Sequence, residues 1–402
     1  MSQTVLSAPP ARFRQNEARG RAIAKPLLRA TGISPEVDER LMQRLGMALL
    51  ERDELGAAVA EAMQLPPGDP DRVTHAQLAA ALDAAPEVSD DTPPALRAFL
   101  SLAMEAPEWV DWARIERGAA AYGYLGRTAH DVLLNLSLIG GYRFGGPADL
   151  LVLTGGLAGD NTLRRLAESE QWTNAATTPG GMRVGAEGWR LTLHVRVMHA
   201  LVNMRFEKRW ETARFGLPIN QADQAGTLGL FDATVILGCQ MLGVPVSRQQ
   251  RDDLMHLWRY IGWLMGVDPD FLTDDEQERH RINYHVLLTA GDQTPAGQEL
   301  ARLTLDTQAQ RNYGHANPRL EHWHQRYARA RAHSLLSAVV GKQSMRELAM
   351  PMRPPWAAVA AVVGNSLRYR TLSALPGGRR RLETRGRRVQ DQILAGSLAS
   401  HH

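Results

Sequence analysis

The chain has 402 residues, 44% of them hydrophobic and 22% charged, which is enough apolar material for a sizeable core and too little charge for a disordered chain. Its 46 basic and 43 acidic residues leave a net charge of +3, so no global field argues for nucleic acid as a partner. The single cysteine, Cys239, excludes an internal disulfide and any zinc or iron–sulfur centre built from cysteines alone.

Residues 1–30 read as a flexible, Arg-rich arm. They lack the apolar run of a secretory signal, and no long window of the chain is both apolar and charge-free, so the expectation is a soluble, cytoplasmic protein. From 34 to 65 the apolar residues Leu41, Leu45, Leu49 and Val59 recur at helical spacing, behind a helix start at Ser34 and Pro35. Segments 74–82, 94–104 and 109–120 predict further helices. Segment 127–138 is strongly apolar and is stopped by Gly140 and Gly141. A helix over 148–170 contains Gly155, Gly156 and Gly159, which in a helix mean close packing or a kink. Residues 189–206 fit both strand alternation and a helical stripe; their length decides for a helix. Helices then follow over 221–241, 247–265, 273–290, 295–305, 318–340 and 356–367. With few strand candidates the fold class is all-α, with residues 31–375 as one helical domain and 376–402 as a basic tail. Such a tail is ordinarily a solvated segment; its second reading is weak contact with an anionic membrane surface.

Hydrolase and zinc motifs are absent: there is no His-Glu-x-x-His, Cys-x-x-Cys or Gly-x-Ser-x-Gly. The informative stretch is LHVRVMHALVN, beginning at Leu193. As a helix it places Thr192, Val195, Arg196, His199, Val202, Asn203 and Phe206 on one face, whereas His194 points elsewhere. An apolar face with one imidazole and one guanidinium suits a haem slot: iron takes the imidazole, and a propionate favours the cation. The same pattern also fits a hydrogen-bonded core histidine. Asn220, Gln221, Asp223 and Thr227 open the next helix and read as caps, or as a network bracing the His199 helix. His256, His280 and His285 read as surface groups, and Trp258, Tyr260 and Trp263 as core.

The Val-Arg-x-x-His-Ala pattern ending at Ala200 resembles the haem-ligand helix of the latex-clearing-protein (rubber oxygenase) family and its MpaB-like relatives. Trp189-Arg190 ahead of it and three stretches after it, beginning at Gly216, Leu242 and Trp258, agree in order. The likeness covers residues 120–270. It implies a globin-like helical core with extra helices around one b-type haem, with His199 as the iron ligand and Val195, Arg196, Val202 and Asn203 around the cofactor. The family also places an arginine, then a lysine three and a threonine four positions on, beside the distal pocket. Counting back from His199, Arg165 takes the arginine place, while Glu168 and Ser169 stand where the family has lysine and threonine. A family carboxylate further upstream falls near Asp149.

The resemblance implies a haem-dependent dioxygenase that uses O2 to cleave a C=C bond of a small hydrophobic, isoprenoid- or lipid-like substrate. Asp149 or Glu168 would act as base at an allylic position, with Arg165 fixing that carboxylate. The replaced positions 168 and 169 keep two alternatives open: a haem-binding sensor or peroxide-handling protein, and a helical interaction protein without cofactor. A surface ion pair between Arg165 and Glu168, three residues apart, is the plain reading of those two.

Overall fold

The sequence alternates good helix caps with apolar stripes, and the chain follows them. A computed structural model describes residues 8–89, 91–155 and 161–400, and every regular element among them is a helix. Asp38, Asp53, Asp111, Ser247 and Asp275 each accept a backbone N–H of the first turn of the helix that follows. An aromatic cluster sits at the centre of the main core. Trp258 lies 5.4 Å from Phe231, 6.1 Å from Trp172 and 6.3 Å from Tyr122, ring centre to ring centre. Cys239 is buried there, as a small hydrophobe.

Several elements depart from the sequence expectation for identifiable reasons. The stretch expected as a flexible arm contains the helix Glu17–Thr31, packed on Glu276–Thr289 with Ala24 fully buried. The expected basic tail forms the helix Gly378–Leu398 against Trp112–Leu125 and Asn161–Ala176. Its buried positions are Leu382, Gln390 and Ser397, and Gln390 donates to the carbonyls of Tyr122 and Gly126. Small or polar residues make up much of both docking faces, so their apolar residues are sparse in the sequence. Residues 1–7 and 401–402, at the ends of that arm and tail, lie outside the described residues.

The helix expected over 148–170 is two. Pro147–Leu153 ends just before Gly155, which has φ 73°, and Asn161–Ala176 begins afresh; Gly156 and Gly159 lie outside the described residues. Gln221–Phe231 and Ala233–Met241 are likewise divided at Asp232 (φ −96°, ψ −100°), whose side chain caps the second. The apolar helix Arg127–Val132 continues as a π-helix over Leu133–Ile139. π-Segments are rare and gather at functional sites.

Asn161–Ala176 and Glu187–Phe206 form an antiparallel pair that carries the candidate site. Gly188 allows their close approach at the turn: a Cβ there would lie 2.7 Å from the Ala175 carbonyl oxygen and the Ala176 Cα. The helix Glu54–Ala62 covers another part of Glu187–Phe206, with the Ala200 methyl in van der Waals reach of Gly56.

Candidate haem site

Glu187–Phe206 buries Thr192, Leu193, Arg196, Val197, Ala200 and Asn203 on one side and leaves His194 exposed on the other. His199 stands at the edge of the buried arc, with Val195 and Val202 also partly buried beside it. Its Nδ1 is shielded from solvent and has no hydrogen-bond partner. Burial pulls the imidazole down to about 4, outweighing the opposing pull of the Asp53 carboxylate. At neutral pH the ring is therefore uncharged and keeps a lone pair, the state in which imidazole binds a metal.

A small cavity of about 10 Å³ lies against this ring and opens to solvent. Its apolar lining comes from Ala57, Ala200, Met204, Ile219 and Met265. Gln224 also lines it and has a buried Oε1 without a partner. Unpartnered buried polar atoms are rare and costly, so two around one cavity point to a group that completes them.

The arginine on this face is differently employed than expected. Arg196 donates to both carboxylate oxygens of Asp53 at 2.7 Å and to the Leu264 carbonyl at 3.1 Å, with its guanidinium over the Phe99 ring. A cation so occupied is not a free partner for a propionate. Its carboxylate partner Asp53 also caps Glu54–Ala62 through the Gly56 N–H and so ties that helix to the His199 helix. Asn203 is similarly spent. Its Nδ2 donates to the Ile219 carbonyl and its Oδ1 accepts the Ile219 N–H, both at 2.7 Å, holding the following loop against the cavity. Asn220 caps Gln221–Phe231, and Asp223 bonds Arg12 and Asn220, so these residues brace as well as cap.

Across the pair, Trp172 Nε1 donates to Thr192 Oγ1 at 3.0 Å. Seven residues along each helix, two turns and within about 20° of the same face, stand Arg165 and His199. The antiparallel register thus sets Arg165 level with His199. Arg165 Nη1 is buried and has no hydrogen-bond partner.

The other expected distal residues are not brought there. Glu168 is 62% exposed and lies 3.9 Å from Arg164, four residues back, rather than pairing with Arg165; Ser169 is exposed too. Asp149 is a structural group: it accepts the Gly146 N–H at 3.0 Å and the Thr294 hydroxyl at 3.0 Å. His256, His280 and His285 are buried, not at the surface. His256 Nε2 accepts the Asp111 N–H and His285 Nε2 the Asp38 N–H, so both are spent on the starts of distant helices. Trp258 and Tyr260 are in the core as expected, and Trp263 packs against it.

Sequence reasoning missed Asp53 and Gln224. Asp53 carries a visible capping signal, but nothing local ties it to Arg196, 143 positions away. Among the described residues no three His, Cys, Asp or Glu side chains gather to cage a metal, whereas a haem iron asks for a single histidine.

The family model of the ER-bound oxygenase mpaB/B′/rubber oxygenase catalytic domain matches residues 132–375, which include His199 and Arg165. The solved structure of a latex clearing protein in its closed state is similar over 96% of this chain and 95% of that chain, with TM-score 0.58 and 17% identity, a likeness that speaks to the fold. No curated protein matches the chain.

Proposed function

The chain belongs to the family of the ER-bound oxygenases mpaB/B′ and the rubber oxygenases, and from that premise we propose that it is a haem b-dependent oxygenase of small, hydrophobic, unsaturated substrates. The observation that carries this reading is the neutral His199 imidazole with its unpartnered Nδ1, beside a cavity that the unpartnered Gln224 Oε1 also lines. Neutral histidine is the protein's side of a haem bond, and a second unpartnered polar atom beside the same cavity calls for a polar group of a bound ligand. His199 would hold the iron, and Ala57, Ala200, Ile219 and Met265 would supply apolar contact. Bound there, haem would supply iron for the reductive activation of O2 toward oxidative C=C cleavage.

The chain's own part is then positional and electrostatic. Asp53 fixes Arg196 and lends its negative field to His199. Asn203 and the loop it grips keep Ile219 against the cavity. Arg165 would orient a polar group of the bound ligand. No proton transfer is assigned to Glu168 or Asp149, since one faces solvent and the other is consumed as a cap.

The purified chain should show a Soret band that shifts with dithionite and carbon monoxide. His199→Ala should lose it while His194→Ala keeps it; retention in both ends the proposal. Because Glu168 stands where the family has lysine, a haem protein without oxygenase activity is the second reading. Oxygen consumption with polyunsaturated lipids separates the two.

A further inference from the structure

The near-neutral total conceals a sharp division of charge. Between residues 322 and 382 eleven Lys and Arg residues stand against one acid, Glu347, so the other 341 residues carry a net charge of −7. That acid is already paired, with Arg19. Nine of the seventeen large hydrophobic side chains exposed among the described residues fall in the same part of the chain, from Trp323 to Leu375.

The helix Trp356–Ser373 shows how they are arranged. Trp356, Val359, Val363 and Leu367 repeat at three- and four-residue spacing on one stripe, and all are exposed, Leu367 by 62%. The opposite face is buried: Ala357 packs into the core, Asn365 donates to the Leu242 carbonyl and the Thr128 hydroxyl, and the Tyr369 hydroxyl donates to the Tyr124 carbonyl. This helix is attached by small and hydrogen-bonding residues and turns its large apolar side chains outward. Trp356 continues the stripe onto the neighbouring helix through Tyr327, 5.8 Å away, and Trp323, which stacks on Tyr327 at 5.5 Å. Arg326, Arg353, Arg368 and Arg370 are exposed around it.

An exposed apolar stripe edged by tryptophan and tyrosine, among arginines and without acids, has the make-up of a surface that lies in a lipid headgroup layer. No helix among the described residues is long and apolar enough to cross a membrane, so the contact is superficial. We propose that this face docks on an anionic phospholipid bilayer, with Trp323, Tyr327, Trp356 and Val363 entering the interface and Arg353, Arg368 and Arg370 meeting the phosphates. A second copy of the chain fits less well, because the facing patch would repeat the same positive charge. The surface stands whatever His199 holds.

Flotation of the full chain with phosphatidylserine–phosphatidylcholine vesicles tests this. The chain should float with them at low ionic strength, and weakly or not at all with phosphatidylcholine alone. Val359→Asp/Val363→Asp should cut binding by more than about tenfold. Arg353→Gln/Arg368→Gln/Arg370→Gln should weaken it about fivefold per arginine, with a shallower salt dependence. Far-UV circular dichroism of each variant establishes that it is folded. Absence of flotation on anionic vesicles, or flotation that both folded variants leave unchanged, overturns the proposal. So does a dimer in sedimentation that Val359→Asp/Val363→Asp dissociates without affecting flotation, which would assign the stripe to self-association.

Discussion

Two helices of this molecule break the inside–outside rule in opposite senses. Glu187–Phe206 turns polar groups inward, and at its His199 end one goes unanswered: His199 Nδ1, beside a cavity where Gln224 Oε1 from a neighbouring helix is also unpartnered. Trp356–Ser373 also turns polar groups inward, but the Asn365 amide nitrogen and the Tyr369 hydroxyl there have hydrogen-bond partners, and it is the outward apolar side chains that lack one. An unpaired polar atom in the interior asks for a ligand, whereas an unpaired apolar stripe outside asks for a surface. The exception in each helix therefore identifies the kind of partner to look for.

The comparison is broken hardest at Asp53. Asp53→Ala strips a buried, doubly bonded Arg196 of its counter-charge and uncaps Glu54–Ala62 at the same stroke. Breaking one side of a buried ion pair costs about 3–5 kcal/mol. Denaturant unfolding should show a loss of that order, and haem retention should fall with it. A loss below about 1 kcal/mol would mean that the site's polar frame does not depend on this pair.

The next effect is one of pH. His199 is held neutral, with its affinity for a proton drawn down to about 4 against an ordinary 6.5. In that window the unfolded chain binds a proton that the folded chain refuses, so stability rises with pH from about 4 to 6.5 and is lost as pH falls. For the haem-free protein at pH 4.5 the contribution, discounted for partial exposure, is about 2 kcal/mol. His285 and His333, lowered by burial, act in the same direction, so the informative quantity is the difference from His199→Gln, in which the slope should flatten by one proton. Equal slopes would show that the ring is freely protonated and that the cavity does not enforce its neutrality.

The outer helix should respond in the reverse pattern. Asn365→Ala leaves the Leu242 carbonyl unpaired in the interior and should cost about 1–3 kcal/mol. Val363→Asp, at a side chain 53% exposed, should change stability by less than about 0.5 kcal/mol while weakening vesicle binding. If the apolar change were the costlier of the two, the stripe would be part of the core.

How much of this was legible in the sequence depends on whether the signal was local. The helices of the middle of the chain announce themselves by caps and period, and the decision for a helix at 189–206 over a strand agrees with Glu187–Phe206. His199 was reached through the pattern around it. The terminal helices were not legible, because Gly20, Ala24 and Gln390 carry much of their burial and large apolar residues are few there. The buried histidines were missed because their partners, the Asp111 and Asp38 N–H groups, are far away in the chain. The bond between Arg196 and Asp53 is of the same long-range kind. Sequence spacing shows which face a side chain takes but not what waits there, so Arg196 and Asn203 were placed on the right face with the wrong partners.

The smallest expected effect concerns Glu168, which the resemblance sets at a lysine position and the structure puts in water. Among the described residues its ion pair is to Arg164 on the same helix, at 3.9 Å with both side chains 62% exposed, and such pairs contribute a few tenths of a kcal/mol at most. Glu168→Gln should therefore leave stability within about 0.5 kcal/mol, and the Soret position and oxygen uptake unchanged. Glu168→Lys restores the family residue type and is the sharper change. In this register position 168 lies one turn from the level of His199, and a lysine stem spans that distance where glutamate does not. A red-shifted or newly six-coordinate spectrum in Glu168→Lys, with Glu168→Gln silent, would show that the distal side of this chain is open because the residue there is too short and wrongly charged. A shift already present in Glu168→Gln would instead mean that the carboxylate reaches inward when the cofactor is bound, and the contrast between a solvated Glu168 and an unpaired Arg165 would no longer hold.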